Sequence, residues 1–187
     1  MFEGWDNFYL LVGGAAGSLI GLLFIVSTLM AGREREQALK GASVYMTPIV
    51  FHLAVVVTLG GLAMAPGVAP GPVGAIAGVT CAAGLVYCAW VIVEIRKLEL
   101  GEPPHWSDLW CYGVAPLVGY AGLGVAAVFV GTARPLAAQG LAAGVMILLL
   151  IAIRNAWDLV TWMAPRATVQ SASSAAPAKD EGPSGDA

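Results

Sequence analysis

The chain has 187 residues, 58% of them hydrophobic and 11% charged, with a formal net charge of −3. Soluble domains carry about 25% charged residues, so this composition excludes an ordinary water-soluble core and makes lipid the solvent for most of the chain. Nine scattered Lys and Arg leave no basic patch for nucleic acid.

The N-terminus, MFEGWDNF, carries two acids and no cation. A secretory signal peptide starts with basic residues, so a cleavable leader is not expected. A membrane helix needs about 20 mainly apolar residues. Residues 8–32 run 25 long without Asp, Glu, Lys or Arg and predict the first span. Within it, Gly13, Gly17 and Gly21 recur every four residues, with Gly14 and Ser18 beside them. Such small-residue stripes let helices approach closely in lipid, within one bundle or between copies of the chain.

Residues 41–93 give 53 uncharged positions, enough for two spans, at about 42–65 and 72–94. The stretch PGVAPGP (66–72) divides them, because proline and glycine stop one helix and start the next. His52 is the ionisable residue placed nearest the middle of a span. Intramembrane ionisable groups are candidates for function. The plainer reading is an imidazole hydrogen-bonded to Tyr87, Tyr120, Thr58 or Thr80. A bis-histidine haem would need a second buried His, and the other one, His105, falls in the loop segment EPPHWSDLW. No cofactor is expected. Cys81, Cys88 and Cys111 form no CxxC, and no metal site is expected.

The third loop, 94–108, is the longest, and its charge reads as solvation. A fourth span covers about 108–131, with Asp108 in its first turn, where the helix dipole favours an anion. Pro48 and Pro116 lie near one end of spans two and four. They should bend those helices and free carbonyls there.

The fifth span, about 136–163, closes with IRNAWDLVTW (153–162), in which Arg154 follows nineteen uncharged residues, 135–153. The plain reading of Arg154 is an anchor that snorkels to headgroups, with Trp157 and Trp162 at the interface. Asp158 fits less well, since a helix C-terminus disfavours an anion and Arg before Asp at i,i+4 is the weaker orientation. Asp158 is therefore expected to have a tertiary partner or a function, the candidate partners being Arg33, Arg35, Lys40, Arg96 and Lys97. Arg154, Asn155, Trp157 and Asp158, together with His52, are the candidate polar site, and the 154–158 cluster with loop one would either lock the bundle or receive a partner. Residues 165–187, rich in Ala, Ser and Pro, read as a disordered tail.

Lipid forces helices rather than open strands. The expected fold is all-α: residues 1–164 form an integral membrane bundle of five transmembrane helices. Eight of the nine cations fall on the face shared by loop one, loop three and the C-terminus, and only Arg134 lies opposite. By the positive-inside rule the N-terminus is outside and the C-terminus cytoplasmic. No Ser-His-Asp, HExxH, Walker or paired-carboxylate arrangement stands out, so no catalytic residues are assigned.

The acidic aromatic N-terminus, the first span ending GLLFIVSTL and the closing IRNAWDLVTW resemble small bacterial five-span membrane proteins that carry no assigned activity. The resemblance implies the five-helix fold and the inner, cytoplasmic membrane of a bacterium. The leading expectation is a non-enzymatic accessory protein, a scaffold or regulator that packs against a membrane complex or against itself as a homo-oligomer. The alternatives are a small oligomeric channel or facilitator using His52 and the Arg154/Asp158 cluster, and a lipid- or quinone-linked enzyme.

Overall fold

The computed structural model describes residues 2–30, 45–97 and 106–174, with 29, 30, 106 and 162–174 described as backbone alone. Helices are α1 (Asp6–Met30), α2 (Thr47–Met64), α3 (Pro70–Lys97), α4 (Trp106–Asp108), α5 (Ala115–Gly131) and α6 (Ala137–Ser174). A π-helical segment, Leu109–Val114, joins α4 to α5 without a break. All regular structure among the described residues is helical. Among the described residues, five stretches are long and apolar enough to cross a membrane: Asp6–Thr28, Thr47–Met64, Pro70–Lys97, Leu109–Gly131 and Ala137–Thr161.

Local chemistry sets the boundaries. Pro66 and Gly67 form the turn after α2, and Gly67 takes a positive φ of 72° that a side chain would resist. Pro70 then opens α3, where a missing N–H costs nothing. At the other turn, Ala133 N–H reaches Val130 O and Arg134 N–H reaches Phe129 O, closing α5 in a Schellman motif. Ala133 occupies the left-handed position of that motif, φ 51°.

Three close contacts give the topology. Gly74 at the start of α3 meets Gly131 at the end of α5. Tyr9 near the start of α1 donates its hydroxyl to Ala138 O at the start of α6. Gly60 late in α2 lies against the Tyr9 carbonyl, 3.5 Å from where a Cβ would stand. The helices therefore alternate in direction. One end of the bundle carries Asp6, the 65–70 turn and Arg134; the other carries Arg96, Lys97, Asp108 and Arg154. α1 pairs with α2 and α3 with α5, and α6 packs between the two pairs.

The boundary expected at residue 165 moves. The backbone stays helical through Pro165 to Ser174. Extending an existing helix through Ala164, Ala167 and Ala172 avoids the nucleation cost that a fresh helix would meet. Arg33, Arg35, Lys40, His105 and residues 175–187 of the expected tail lie outside the described residues.

Candidate functional site

The five positions expected at the polar site fall into two groups. Asn155 is the centre of the first, at the Arg154 end. It is fully buried in a helix whose other face is apolar. Its side-chain amide donates to Cys111 O at 2.9 Å, and its own carbonyl accepts the Tyr112 hydroxyl at 3.0 Å. Its side-chain oxygen accepts Arg154 Nη1 at 3.1 Å. These partners fix which end of the amide points where.

The reason lies in Pro116. Along the π-helical segment the backbone bonds skip one residue further than in an α-helix; Ala115 N–H, for example, reaches Trp110 O. The next donor in that register is residue 116, a proline without an N–H. Cys111 O is thereby left without its helical donor, and Asn155 supplies one from α6. The sequence pattern foresaw freed carbonyls at Pro116 and a polar cluster at 154–158, but not that one caps the other.

Arg154 and Asp158 do pair, but weakly: 3.8 Å apart, with side chains 46% and 48% exposed. The tertiary cation expected for Asp158 is not seen among the described residues. Lys97 instead pairs with Glu94 of its own helix at 3.2 Å. Nearby, Tyr45 hydrogen-bonds Asp108 and stacks edge-on against Tyr112, ring centroids 5.1 Å apart. Burial first, and then the Asp108 carboxylate, push the Tyr45 hydroxyl above its ordinary pKa. Tyr45, Tyr112 and the Cys111 carbonyl escaped the sequence reading. Their one signal was tyrosines close to the polar ends of two spans. Trp157, the remaining member, is 72% exposed and faces away from the cluster's buried part.

His52 stands apart from Asn155 and anchors the second group. It is completely buried, with Nδ1 3.0 Å from the Tyr120 hydroxyl. Of the four partners considered, Thr58 and Thr80 bond backbone carbonyls of their own helices instead. Tyr120 is the central residue of the Leu109–Gly131 span, so the pair lies at mid-depth. Phe51 packs at a tilt against Tyr87, ring centroids 4.4 Å apart and planes at 41°, and closes one side. His52 Nε2 and the Tyr87 hydroxyl are buried with no partner among the described residues.

The α1 glycines leave open space where a Cβ would stand, as Gly78 of α3 and Gly122 of α5 also do. Among the described residues, a Cβ added at Gly13, Gly17 or Gly21 would meet nothing within 4 Å, and the same holds for Gly14. Close packing inside the bundle is carried elsewhere: Gly74 against the Gly131 backbone, Gly84 against the Tyr120 ring, Gly113 against Ile92 and Gly144 against Leu123. Gly14, Gly17 and Gly21 face outward because the buried side of that helix is taken by Tyr9, Val12, Ala16 and Leu23, whereas the half-buried Gly13 lies toward Gly60 of α2.

The five apolar helices fit the class of multi-pass membrane proteins. No protein family, characterised protein or solved structure matches the chain.

Proposed function

We propose that this is a non-enzymatic accessory protein of a bacterial inner membrane, a scaffold that pairs with a further transmembrane helix through α1. The supporting observation is the contrast between the glycines. Gly74, Gly84, Gly113 and Gly144 sit where a neighbour is close, whereas a Cβ at Gly14, Gly17 or Gly21 would meet nothing within 4 Å among the described residues, and Ser18 beside them is exposed. In lipid, apolar area gives little drive for helices to associate, and close backbone approach over small residues supplies it instead. The partner is another copy of the chain or a helix of a larger complex. The cation asymmetry supports an N-terminus outside and a C-terminus in the cytoplasm.

The test is association in the membrane. Gly17→Ile and Gly21→Ile, which meet no neighbour in the monomer, should abolish cross-linking of the full chain to itself or to its native co-purifying protein. Unchanged cross-linking in both variants would refute the reading.

A second reading, a small oligomeric facilitator, draws on the unpartnered His52 Nε2 and Tyr87 hydroxyl. Buried polar groups left unsatisfied are costly and mark sites of use. Solute flux in liposomes that falls on His52→Ala would favour it over the scaffold.

A further inference from the structure

A groove of about 230 Å³ opens on the outer surface of the bundle at the Arg154 end. Cys111, Ala115, Leu150, Ile151, Arg154 and Asn155 line it. Its polar atoms are already used, because the Asn155 amide and the Cys111 carbonyl bond each other. What the groove offers is therefore hydrocarbon, with one guanidinium at its rim. Arg154 keeps donors to spare: Nη1 is held by Asn155, and Asp158 stands off at 3.8 Å.

The groove lies on the surface that meets lipid. Leu150, Ile153, Trp157 and Val160 of α6 are all exposed apolar residues at helical spacing. Trp157, three positions after Arg154, is the kind of amphipathic ring that sits at headgroup level. Going along α6, a lipid meets an apolar trough, then a cation, then an interfacial aromatic. That is the order of an acyl chain, a phosphate and the water boundary.

We propose that this groove holds one anionic phospholipid, with an acyl chain along Leu150, Ile151 and Ala115 and its phosphate on Arg154. Guanidinium and phosphate bond through parallel N–H donors, and the low-dielectric rim strengthens the pairing. Asp158 competes for the same cation and tunes the affinity downward. The site is independent of the α1 face.

Native mass spectrometry of the detergent-purified full chain tests it, titrating phosphatidylglycerol against phosphatidylcholine. The first phosphatidylglycerol should bind about fivefold more tightly, the worth of one cation near a lipid surface. Arg154→Gln should erase the preference, Arg154→Lys should keep it, and Asp158→Asn should widen it. Leu150→Trp, which fills the trough and keeps the charge, should erase it too. Equal binding of the two lipids, or a preference that survives Leu150→Trp, overturns the proposal. So does inorganic phosphate that displaces the lipid at equal concentration, since the headgroup alone would then suffice.

Discussion

Asn155 of α6 and Cys111 of the π-helical segment are joined by a 2.9 Å bond that takes the place of the backbone donor missing at Pro116. This coupling of a proline on one helix to an amide on another can be measured. Asn155→Leu should lower unfolding stability in detergent by about 1–2 kcal/mol, the range for an interhelical hydrogen bond lost in an apolar setting. Pro116→Ala restores an N–H that can reach Cys111 O. On that background Asn155→Leu should cost measurably less. Strict additivity in the double-mutant cycle would mean the two residues do not serve the same carbonyl.

The His52–Tyr120 pair predicts a different pattern. Tyr120→Phe keeps the ring against Gly84 but takes away the only hydrogen-bond partner His52 has among the described residues. The imidazole is then buried with two unmet nitrogens, and stability should fall by about 1–3 kcal/mol. Adding His52→Leu removes the orphan itself, so the double variant should recover part of the loss. Thermal unfolding of the three variants decides the matter, and a double variant worse than the sum of the singles would contradict it.

Ala133 holds the left-handed position that ends α5, with φ 51°. For a residue with a Cβ that conformation costs about 1–2 kcal/mol, while glycine adopts it freely. Ala133→Gly should therefore stabilise the protein, by about 0.5–1 kcal/mol after the larger chain entropy of glycine is counted. A lowered melting temperature would show that the methyl group makes a contact that matters more than the backbone.

The sequence revealed the architecture because lipid leaves few choices: five uncharged runs of spanning length must be helices, and 66–72 had to be a turn. It also pointed to residues 154–158 and to His52. It named Tyr120 among four candidate partners of His52 without singling it out, and it did not reveal Tyr112 or the Cys111 carbonyl as partners of Asn155; the packing of α2 and α6 makes those choices. The π-helical register before Pro116 adds one residue per turn, which shifts every facing position on that segment. The glycines were the least legible. Spacing alone could not separate stripes that face a neighbour, as at Gly74, from one that faces outward, as at Gly17.

Tyr45 gives a pH signature at the Arg154 end. Its folded pKa is raised above the ordinary value of about 10, so the folded state binds the phenolic proton more tightly than the unfolded chain does. The stabilisation is fully present below pH of about 10 and is lost as pH climbs through the folded value. Stability measured from pH 9 upward should decline, and Tyr45→Phe should flatten the part of that decline owed to its bond with Asp108. A slope unchanged in Tyr45→Phe would assign the loss to other groups.

The sharpest separation between bundle stability and partner binding comes from two alanine substitutions. At Gly74 a Cβ would collide with the Gly131 backbone and lie 2.7 Å from Ala127 O. Backbone cannot step aside as a flexible side chain can, so Gly74→Ala must push α3 and α5 apart, at about 1–3 kcal/mol or more for an overpacked contact. At Gly17 a Cβ meets open space, and alanine is the better helix former by about 1 kcal/mol. Gly17→Ala should therefore leave the isolated chain as stable as before or slightly more so, while Gly74→Ala unfolds at lower temperature. Both can be read from one melting series in detergent, with Gly84→Ala as a third point between them, since the Tyr120 ring it strikes can shift a little. If Gly17→Ala proved as damaging as Gly74→Ala in the monomer, α1 would have to be packed inside the bundle along its glycines. The outward stripe, and the pairing surface built on it, would then be lost together.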